Sequence, residues 1–197
     1  MPTTRQRPKL VRIRVAPWQL RIELLDVRPA VWRRLVVPSN IRLPALHRVF
    51  QAALGWTDSH LHEFVINGQR YAEPDPEGLE EITQQDERRV VLADALGRGA
   101  RTFEYRYDFG DDWHHAVVVE DCFVPPQANF VAQCLAGENA CPPEDVGGAP
   151  GYAEFLAALA DPGHERHAEY RDWCGGEFDP ARFDREAVNR ELEKIRL

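Results

Sequence analysis

The sequence predicts an α+β fold, in which largely antiparallel strands come first and C-terminal helices pack on the sheet. Two observations support this prediction. Up to residue 120, the dominant pattern places apolar residues at every second position, which is the period of a half-buried strand. From residue 152 onwards, apolar residues recur at helical spacing. Strands first and helices last are typical of α+β proteins rather than of a doubly wound parallel sheet.

The first ordered segments predict a hairpin followed by a helix. Apolar and polar residues alternate over residues 20–24, and residues 31–37 form a second β-rich run, so the two strands should pair. Residues 43–54 place apolar side chains on one helical face, and Gly55 ends that helix. An N-terminal β-hairpin followed by a helix resembles the opening of a β-grasp arrangement.

The clearest pair of strands comes later in the chain. Residues 60–66 predict a strand that ends at an Asn-Gly turn. Aromatic and polar residues alternate over residues 103–109, Gly110 begins a turn, and residues 113–120 return as a second strand. We expect these last two segments to pair antiparallel.

The remaining segments are interpreted as loops and helices. Residues 73–89 are acidic and residues 125–151 are rich in proline and glycine, so both are expected to be loops. Helices are predicted from residue 152 and over residues 164–174. Asp184 is placed to cap a last helix.

The composition is that of an ordinary globular protein. The chain has 197 residues, of which 44% are hydrophobic and 28% charged. Neither a signal peptide nor an apolar run long enough to span a membrane is present, so we expect a cytoplasmic protein with reduced thiols. No cysteines form a CxxC pair; the four are Cys122, Cys134, Cys141 and Cys174.

Positive charge is concentrated at the N-terminus, although the net charge is −8. Residues 1–48 contain eleven Lys and Arg but only two acids. We interpret residues 1–16 as a basic arm and residues 17–197 as one α+β domain. The arm can contact nucleic acid or a protein partner. Alternatively, the basic half of the fold neutralises the acidic half.

A His/Asp cluster is the candidate metal site. His60 and His62, two residues apart on a predicted strand, should share a face and could ligate one divalent metal ion. We expect a further ligand or hydrogen-bond partner from residues 108–115. The candidates that complete the site are Asp111, Asp112 and His114. Alternatively, the histidines bond to turns and pack beside Trp56, and the Asp-Gly residues simply form a tight turn.

Other residues complete the candidate functional surface. Arg33 and Arg34, together with Trp32, could bind an anion or nucleic acid through hydrogen bonds and stacking. Alternatively, one of the two arginines pairs with an acid of the C-terminal half. Six residues separate Cys134 from Cys141, which is not the short spacing of a zinc knuckle. The predicted surface consists of Arg33, His60, His62, Asp111, Asp112, Trp113, Glu144 and Asp145.

Four motifs in this order resemble the Ri-plasmid open-reading-frame-three-like family. They are residues 29–34, 56–64, 107–113 and 140–152, within a resemblance that runs from about Trp18 to near Asn189. The resemblance implies a compact α+β fold in bacteria and archaea, often encoded on plasmids or beside transposable elements. It carries over no catalytic residue, and no serine-recombinase signature is present. Arg42 stands where the family usually has a helix-capping Thr.

Two hypotheses of function follow. The first is a non-enzymatic accessory or binding protein of mobile-element type, with a protein or nucleic acid as its partner. The second is a metal-dependent enzyme, a hydrolase or nuclease, that uses the His/Asp cluster. An enzyme requires these side chains to converge in one site, whereas scattered hairpin tips favour binding.

Overall fold

The computed structural model describes residues 16–74, 84–120 and 131–197. Over these residues the chain forms one sheet of eight strands and five α-helices. The strands are β1 Pro17–Leu24, β2 Val31–Pro38, β3 His62–Ile66, β4 Gln69–Ala72, β5 Gln85–Asp86, β6 Thr102–Tyr107, β7 Trp113–Glu120 and β8 Gln133–Glu138. The helices are α1 Leu43–Leu54, α2 Leu92–Leu96, α3 Gly148–Ala160, α4 His167–Trp173 and α5 Arg185–Leu192.

The sheet has the strand order β5-β4-β3-β6-β7-β1-β2-β8. Neighbouring strands are antiparallel except for the short parallel contact between β4 and β5. The α+β class is therefore confirmed. The predicted β6–β7 hairpin is present, with Tyr107 opposite Trp113. The grasp-like opening is not confirmed, since the β1–β2 hairpin lies inside a long sheet in which β1 pairs antiparallel with β7.

One face of the sheet is apolar and packs against helices. Apolar residues at alternate positions, such as Leu20, Ile22 and Leu24, are fully or almost fully buried. Phe50 of α1 lies on this face, with its ring centroid 5.1 Å from that of Tyr105. The opposite face carries ion pairs between side chains of different strands. One of them joins Arg34 to Glu120, which confirms that an arginine of this pair meets an acid of the C-terminal half.

Helix ends follow the expected capping residues. Gly55 ends α1 in the left-handed region, at φ 89°. Asp184 accepts a hydrogen bond from the backbone N–H of Ala187 and caps α5 as predicted. Arg42 gives α1 no side-chain cap, which agrees with the departure seen in the sequence. No helix within the described ranges is long and apolar enough to cross a membrane.

The described part of the segment 125–151, residues 131–151, differs from its prediction as a loop. It contains β8, and α3 begins at Gly148 rather than at residue 152. β8 escaped prediction because it is an edge strand with little apolar alternation, and Cys134 is its one buried residue. The side chain of Asn189 bonds to both the N–H and the carbonyl of Cys134, which fixes this edge to α5.

Helix α4 and the acidic segment 73–89 also differ from their predictions. Helix α4 begins at His167, three residues later than expected. In the acidic segment 73–89, Glu87 is fully buried instead of solvated, within a short 3-10 helix at Glu87–Arg89. The part of this segment at 75–83, Cys122, and residues 1–15 of the predicted arm lie outside the described residues.

Candidate functional site

Three segments that are distant in the sequence meet at one end of β3 and β6. His60 lies just before β3, Asp108 directly follows β6, and Asp145 lies shortly before α3. The Nε2 atom of His60 is 3.5 Å from Oδ2 of Asp108 and 3.3 Å from Oδ1 of Asp145. One ligand atom from each of the three residues lies within 4.8 Å of the other two. We call these residues the triad.

The turn after β6 fixes the orientation of Asp108. Its backbone is in the left-handed region at φ 55°, and its N–H donates to the carbonyl of Leu61 at 2.9 Å. Its Oδ1 accepts hydrogen bonds from the N–H groups of Gly110 at 2.9 Å and Asp111 at 3.2 Å. Because Oδ1 is engaged by the turn, Oδ2 is the oxygen that faces His60.

A second layer of hydrogen bonds joins the same three segments. Ser59, Tyr107 and Glu144 each directly precede one residue of the triad. The Tyr107 hydroxyl donates to Oε1 of Glu144 at 2.5 Å and accepts from the N–H of Ser59 at 3.0 Å. The other oxygen of Glu144 accepts from the hydroxyl of Thr57 at 2.5 Å. We call Ser59, Tyr107 and Glu144 the clamp, since they tie together the chain on which the triad is carried.

The segment that carries Asp145 packs closely on the β6–β7 turn. Oδ2 of Asp111 accepts a hydrogen bond from the N–H of Gly147 at 3.1 Å. A Cβ atom at Gly148 would lie 2.4 Å from the carbonyl oxygen of Asp111, and this residue also has φ +67°. Glycine is therefore required at position 148 for both reasons. Asp111 thus positions the triad from outside rather than joining it.

The donor set of the triad suits a divalent metal ion. One imidazole nitrogen and two carboxylate oxygens are ligands that zinc and other first-row transition metals accept. Nε2 of His60 is buried, yet among the described residues it has no hydrogen-bond partner of acceptable geometry. The contacts of this nitrogen with Asp108 and Asp145 are charge contacts rather than well-directed hydrogen bonds, and a bound cation would satisfy it. Burial raises the pKa of Tyr107, and the hydrogen bond it donates to Glu144 raises that pKa further.

Of the five predicted ligands, which are His60, His62, Asp111, Asp112 and His114, only His60 belongs to the triad. His60 precedes β3, so the strand alternation that was expected to align it with His62 does not apply. Asp108 meets the expectation that an acid from residues 108–115 would approach His60. His114 instead bonds to the exposed Asp112 at 2.7 Å.

His62 belongs to a buried polar network that the sequence did not predict. Its ring stacks on that of His47, with centroids 3.5 Å apart and planes at 4°. His62 bonds to the buried Glu87 at 3.1 Å, while His47 bonds to the hydroxyl of Tyr105 at 2.8 Å and to Asp58 at 2.6 Å. Burial, and then His62, lower the pKa of His47 to about 4. His47 is therefore neutral at pH 7, and its contact with Asp58 is a hydrogen bond rather than an ion pair.

Three predicted surface residues are buried, so their assignment to the functional surface is corrected: Arg33, His62 and Trp113. Trp113 lies in the core and stacks near Trp56, with ring centroids 6.0 Å apart. Arg33 is buried, and its guanidinium forms hydrogen bonds with the backbone of neighbouring segments. It donates to the carbonyls of Trp32, Ala53, Glu138 and Asn139 at 2.8 to 3.0 Å. The remaining predicted residues, Asp111, Asp112, Glu144 and Asp145, lie at or beside the triad.

Comparison with known proteins identifies the family. Residues 17–187 match the family model described as plasmid pRiA4b ORF-3-like protein. The chain belongs to this family. The resemblance seen in the sequence motifs is therefore confirmed.

Two relatives of this pRiA4b ORF-3-like protein show how far the similarity extends. Uncharacterized protein y4hQ of Sinorhizobium fredii is 45% identical over 179 residues, which are 90% of this chain and 91% of that protein. The crystal structure of a protein of unknown function, MM3350 from Methanosarcina mazei Go1, is similar with a TM-score of 0.78 and 31% identity. That match covers 87% of this chain and 97% of the other. The fold is thus shared over almost its whole length.

Proposed function

We propose that this protein binds a divalent metal ion through the triad and uses the ion to hydrolyse a substrate. The observation that supports the proposal is the convergence of His60, Asp108 and Asp145 from three separate segments. Their ligand atoms lie within 4.8 Å of one another, and Nε2 of His60 has no hydrogen-bond partner among the described residues. Structural zinc sites use four protein ligands, whereas catalytic sites use three and keep one position for water or substrate.

The three side chains of the triad differ in their exposure to solvent. The side chain of Asp108 is 9% exposed, that of His60 is 28% and that of Asp145 is 74%. An ion held there would be enclosed by protein on one side and open to solvent on the other. Water and a substrate could therefore reach it from the side of Asp145, as a hydrolytic metal site requires.

The residues of the chain have separate roles in this proposal. His60, Asp108 and Asp145 hold the ion, and the clamp of Ser59, Tyr107 and Glu144 fixes the spacing of their backbones. A divalent ion, when bound, would supply a water of lowered pKa as nucleophile and would polarise the bond that is attacked. No side-chain nucleophile is needed, which agrees with the lack of a recognisable nucleophile motif in the sequence.

Metal binding is tested with the full chain purified without an affinity tag. Isothermal titration with Zn²⁺ and Mn²⁺ should show one site per chain. His60→Gln should weaken binding by more than roughly 100-fold, since even residues that only support metal ligands cost 10- to 100-fold. His114→Gln is the matched control, because His114 is a nearby histidine outside the triad. Equal affinity in the two variants would refute the site.

Hydrolysis is tested separately with the same proteins. The Zn²⁺-loaded chain should hydrolyse p-nitrophenyl acetate faster than the chelator-treated chain, and His60→Gln should remove the difference. A chain that binds Zn²⁺ with no gain in hydrolysis would contradict the enzymatic part of the proposal while the metal site stands.

A basic N-terminal arm supports a second candidate function, that of an accessory protein that binds nucleic acid. Residues 1–16 contain five Lys or Arg and no acid. Five phosphate contacts would make the affinity fall steeply with salt. Gel-shift titrations of the full chain and of a chain lacking residues 1–16 test this. Binding that survives the deletion unchanged would remove the arm as the nucleic-acid contact and leave a protein partner to be sought.

A further inference from the structure

The two edges of the sheet differ in length and in the residues that protect them. β5 forms one edge and consists of two residues. β8 forms the other edge and has six residues, of which Glu138 alone is charged and none is lysine or proline. Short strands, lysine, proline and bulges are the usual means by which an edge avoids pairing with another chain. Apart from one register shift opposite Arg34 and Leu35, β8 has none of these, so its free edge depends on being covered.

The side chain of Asn189 in α5 covers the middle of this edge. Its Oδ1 accepts a hydrogen bond from the N–H of Cys134 at 2.7 Å, and its Nδ2 donates to the carbonyl of Cys134 at 3.0 Å. In an antiparallel pair of strands, two opposite residues exchange the same two hydrogen bonds. The N–H and the carbonyl of Cys134 are therefore directed to α5 rather than to β2. The amide of Asn189 takes the positions that a neighbouring strand would use.

The chain before α5 continues along the same edge. The N–H of Ala140, shortly after β8, donates to the carbonyl of Pro180 at 2.9 Å. The ring of Phe183 meets β8 at Gly137, where a Cβ atom would lie 2.7 Å from Cζ of Phe183. Residues 180–189 thus run along β8 in the opposite direction to it, as an antiparallel strand would. We call residues 180–189 the edge strap.

We propose that the edge strap keeps this protein monomeric by closing a strand-pairing surface, and that the partner this surface fits is β8 of a second copy. Antiparallel pairing of two β8 strands is self-complementary about a twofold axis. It would satisfy the N–H and the carbonyl of Cys134 in both copies, and it would bring the exposed side chains of Val131 and Leu135 against the partner. This inference is independent of the proposed metal site, which lies on other segments.

The closure depends on few buried groups, so one substitution should release it. Leu192 is the one buried residue of α5, and the side chain of Asn189 supplies both hydrogen bonds to β8. A segment with few buried apolar contacts opens at a lower free energy than the core. Loss of the amide should therefore open the edge while the rest of the sheet stays folded.

The test measures the mass of the full chain in solution. Asn189→Ala removes both hydrogen bonds, and alanine favours the helix, so α5 itself is retained. Sedimentation equilibrium at concentrations on the order of 10 µM to 1 mM should show a monomer for the natural chain and a doubling of the mass for Asn189→Ala. Arg190→Ala is the matched control, because Arg190 is the next residue of α5 and is exposed. That variant should remain monomeric.

A second substitution locates the contact at β8. Gln133 is an exposed residue of β8, and lysine on an edge strand disfavours pairing. Gln133→Lys combined with Asn189→Ala should restore the monomer, because like charges would face each other across the paired strands. In this monomer the amide of Cys134 should exchange with solvent deuterium roughly fivefold faster than in the natural chain, since one hydrogen bond is lost. A dimer that survives Gln133→Lys would place the contact elsewhere and overturn the inference.

Three further results would also overturn it. The first is a natural chain that is already dimeric, since the edge would then not be closed. The second is an Asn189→Ala chain that stays monomeric at the highest concentration. The third concerns folding and uses Asn189→Ser, which shortens the side chain but keeps it polar. If neither Asn189→Ala nor Asn189→Ser folds, judged by circular dichroism, the two hydrogen bonds are part of the fold and not a cover over its edge.

Discussion

The hydroxyl of Tyr107 donates a 2.5 Å hydrogen bond to Oε1 of Glu144. This contact joins the last residue of β6 to the segment before α3. Tyr107 and Glu144 directly precede Asp108 and Asp145, which both approach His60. Thr57 and Ser59 attach the third segment to the same two side chains. The spacing of the triad therefore depends on a hydrogen-bonded layer whose members hold no ion themselves.

Tyr107→Phe should weaken Zn²⁺ binding about tenfold, because supporting residues typically contribute this much to metal affinity. The variant leaves Glu144 and the N–H of Ser59 without their shared partner, and the three segments lose their common tie. Isothermal titration measures the effect. Tyr152→Phe is the control, since the buried hydroxyl of Tyr152 has no partner among the described residues and its removal should be neutral or stabilising. Equal Zn²⁺ affinities in both variants would contradict a positioning role.

Arg33→Met should destabilise the fold by roughly 3 kcal/mol or more, because it leaves buried carbonyl groups without donors. Arg33 donates to four carbonyls, and its guanidinium also lies 4.6 Å from the ring centre of Phe183. Urea unfolding gives the free energy. Arg34→Met, at the half-exposed partner of Glu120, should cost about 1 kcal/mol or less. A larger loss in Arg34→Met than in Arg33→Met would contradict this account.

Much of the sheet was predictable, because apolar and polar residues alternate in the sequence wherever only one face of a strand is buried. The strands β1, β2, β6 and β7 have that property, and their positions and pairing were expected. β8 lacks it, since an edge strand needs few apolar residues to be held in place. The prediction that Arg33 lies on the surface was wrong. Its hydrogen-bond partners are backbone carbonyls, which every residue has, so no sequence pattern indicates them.

The site was only partly predictable, because its residues are brought together by tertiary structure. His60 was expected to act with His62, close to it in sequence, but His62 stacks on His47 and bonds to Glu87 instead. Asp145 is about 85 residues from His60 in the chain. Their proximity depends on Gly147 and Gly148, which let the segment approach the β6–β7 turn. Sequence spacing does not reveal a contact of this kind.

Stability should fall as the pH is lowered from 7.5 to 5, because two histidines are buried in neutral form. The pKa of His47 is lowered to about 4 by burial and by His62, and burial lowers that of His115 to about 3. Both pKa values lie below that of a histidine in the unfolded chain, which is about 6.5. Below about pH 6.5 the unfolded chain therefore binds more protons than the folded chain, and the free energy of unfolding decreases.

Each of these histidines should lower the free energy of unfolding by roughly 2 kcal/mol as the pH is lowered from 7.5 to 5. Urea unfolding at both pH values measures the loss. His47→Gln should be less stable than the natural chain at pH 7.5 but should show a smaller decrease on acidification. An unfolding free energy that is the same at both pH values would contradict the neutral, buried state of the two rings.

Gly151→Ala should destabilise the protein by about 2 kcal/mol or more and also weaken Zn²⁺ binding, because of overpacking beside the triad. A Cβ atom at position 151 would lie 2.0 Å from the carbonyl oxygen of Val146, so the backbone directly after Asp145 would have to move. Gly163→Ala is the matched control, since its Cβ would meet only the side chain of Asp161, at 3.2 Å or more. That variant should change the unfolding free energy by less than about 1 kcal/mol and leave Zn²⁺ affinity intact. If Gly151→Ala lowers stability while Zn²⁺ binding is unchanged, the position of Asp145 does not depend on this close packing.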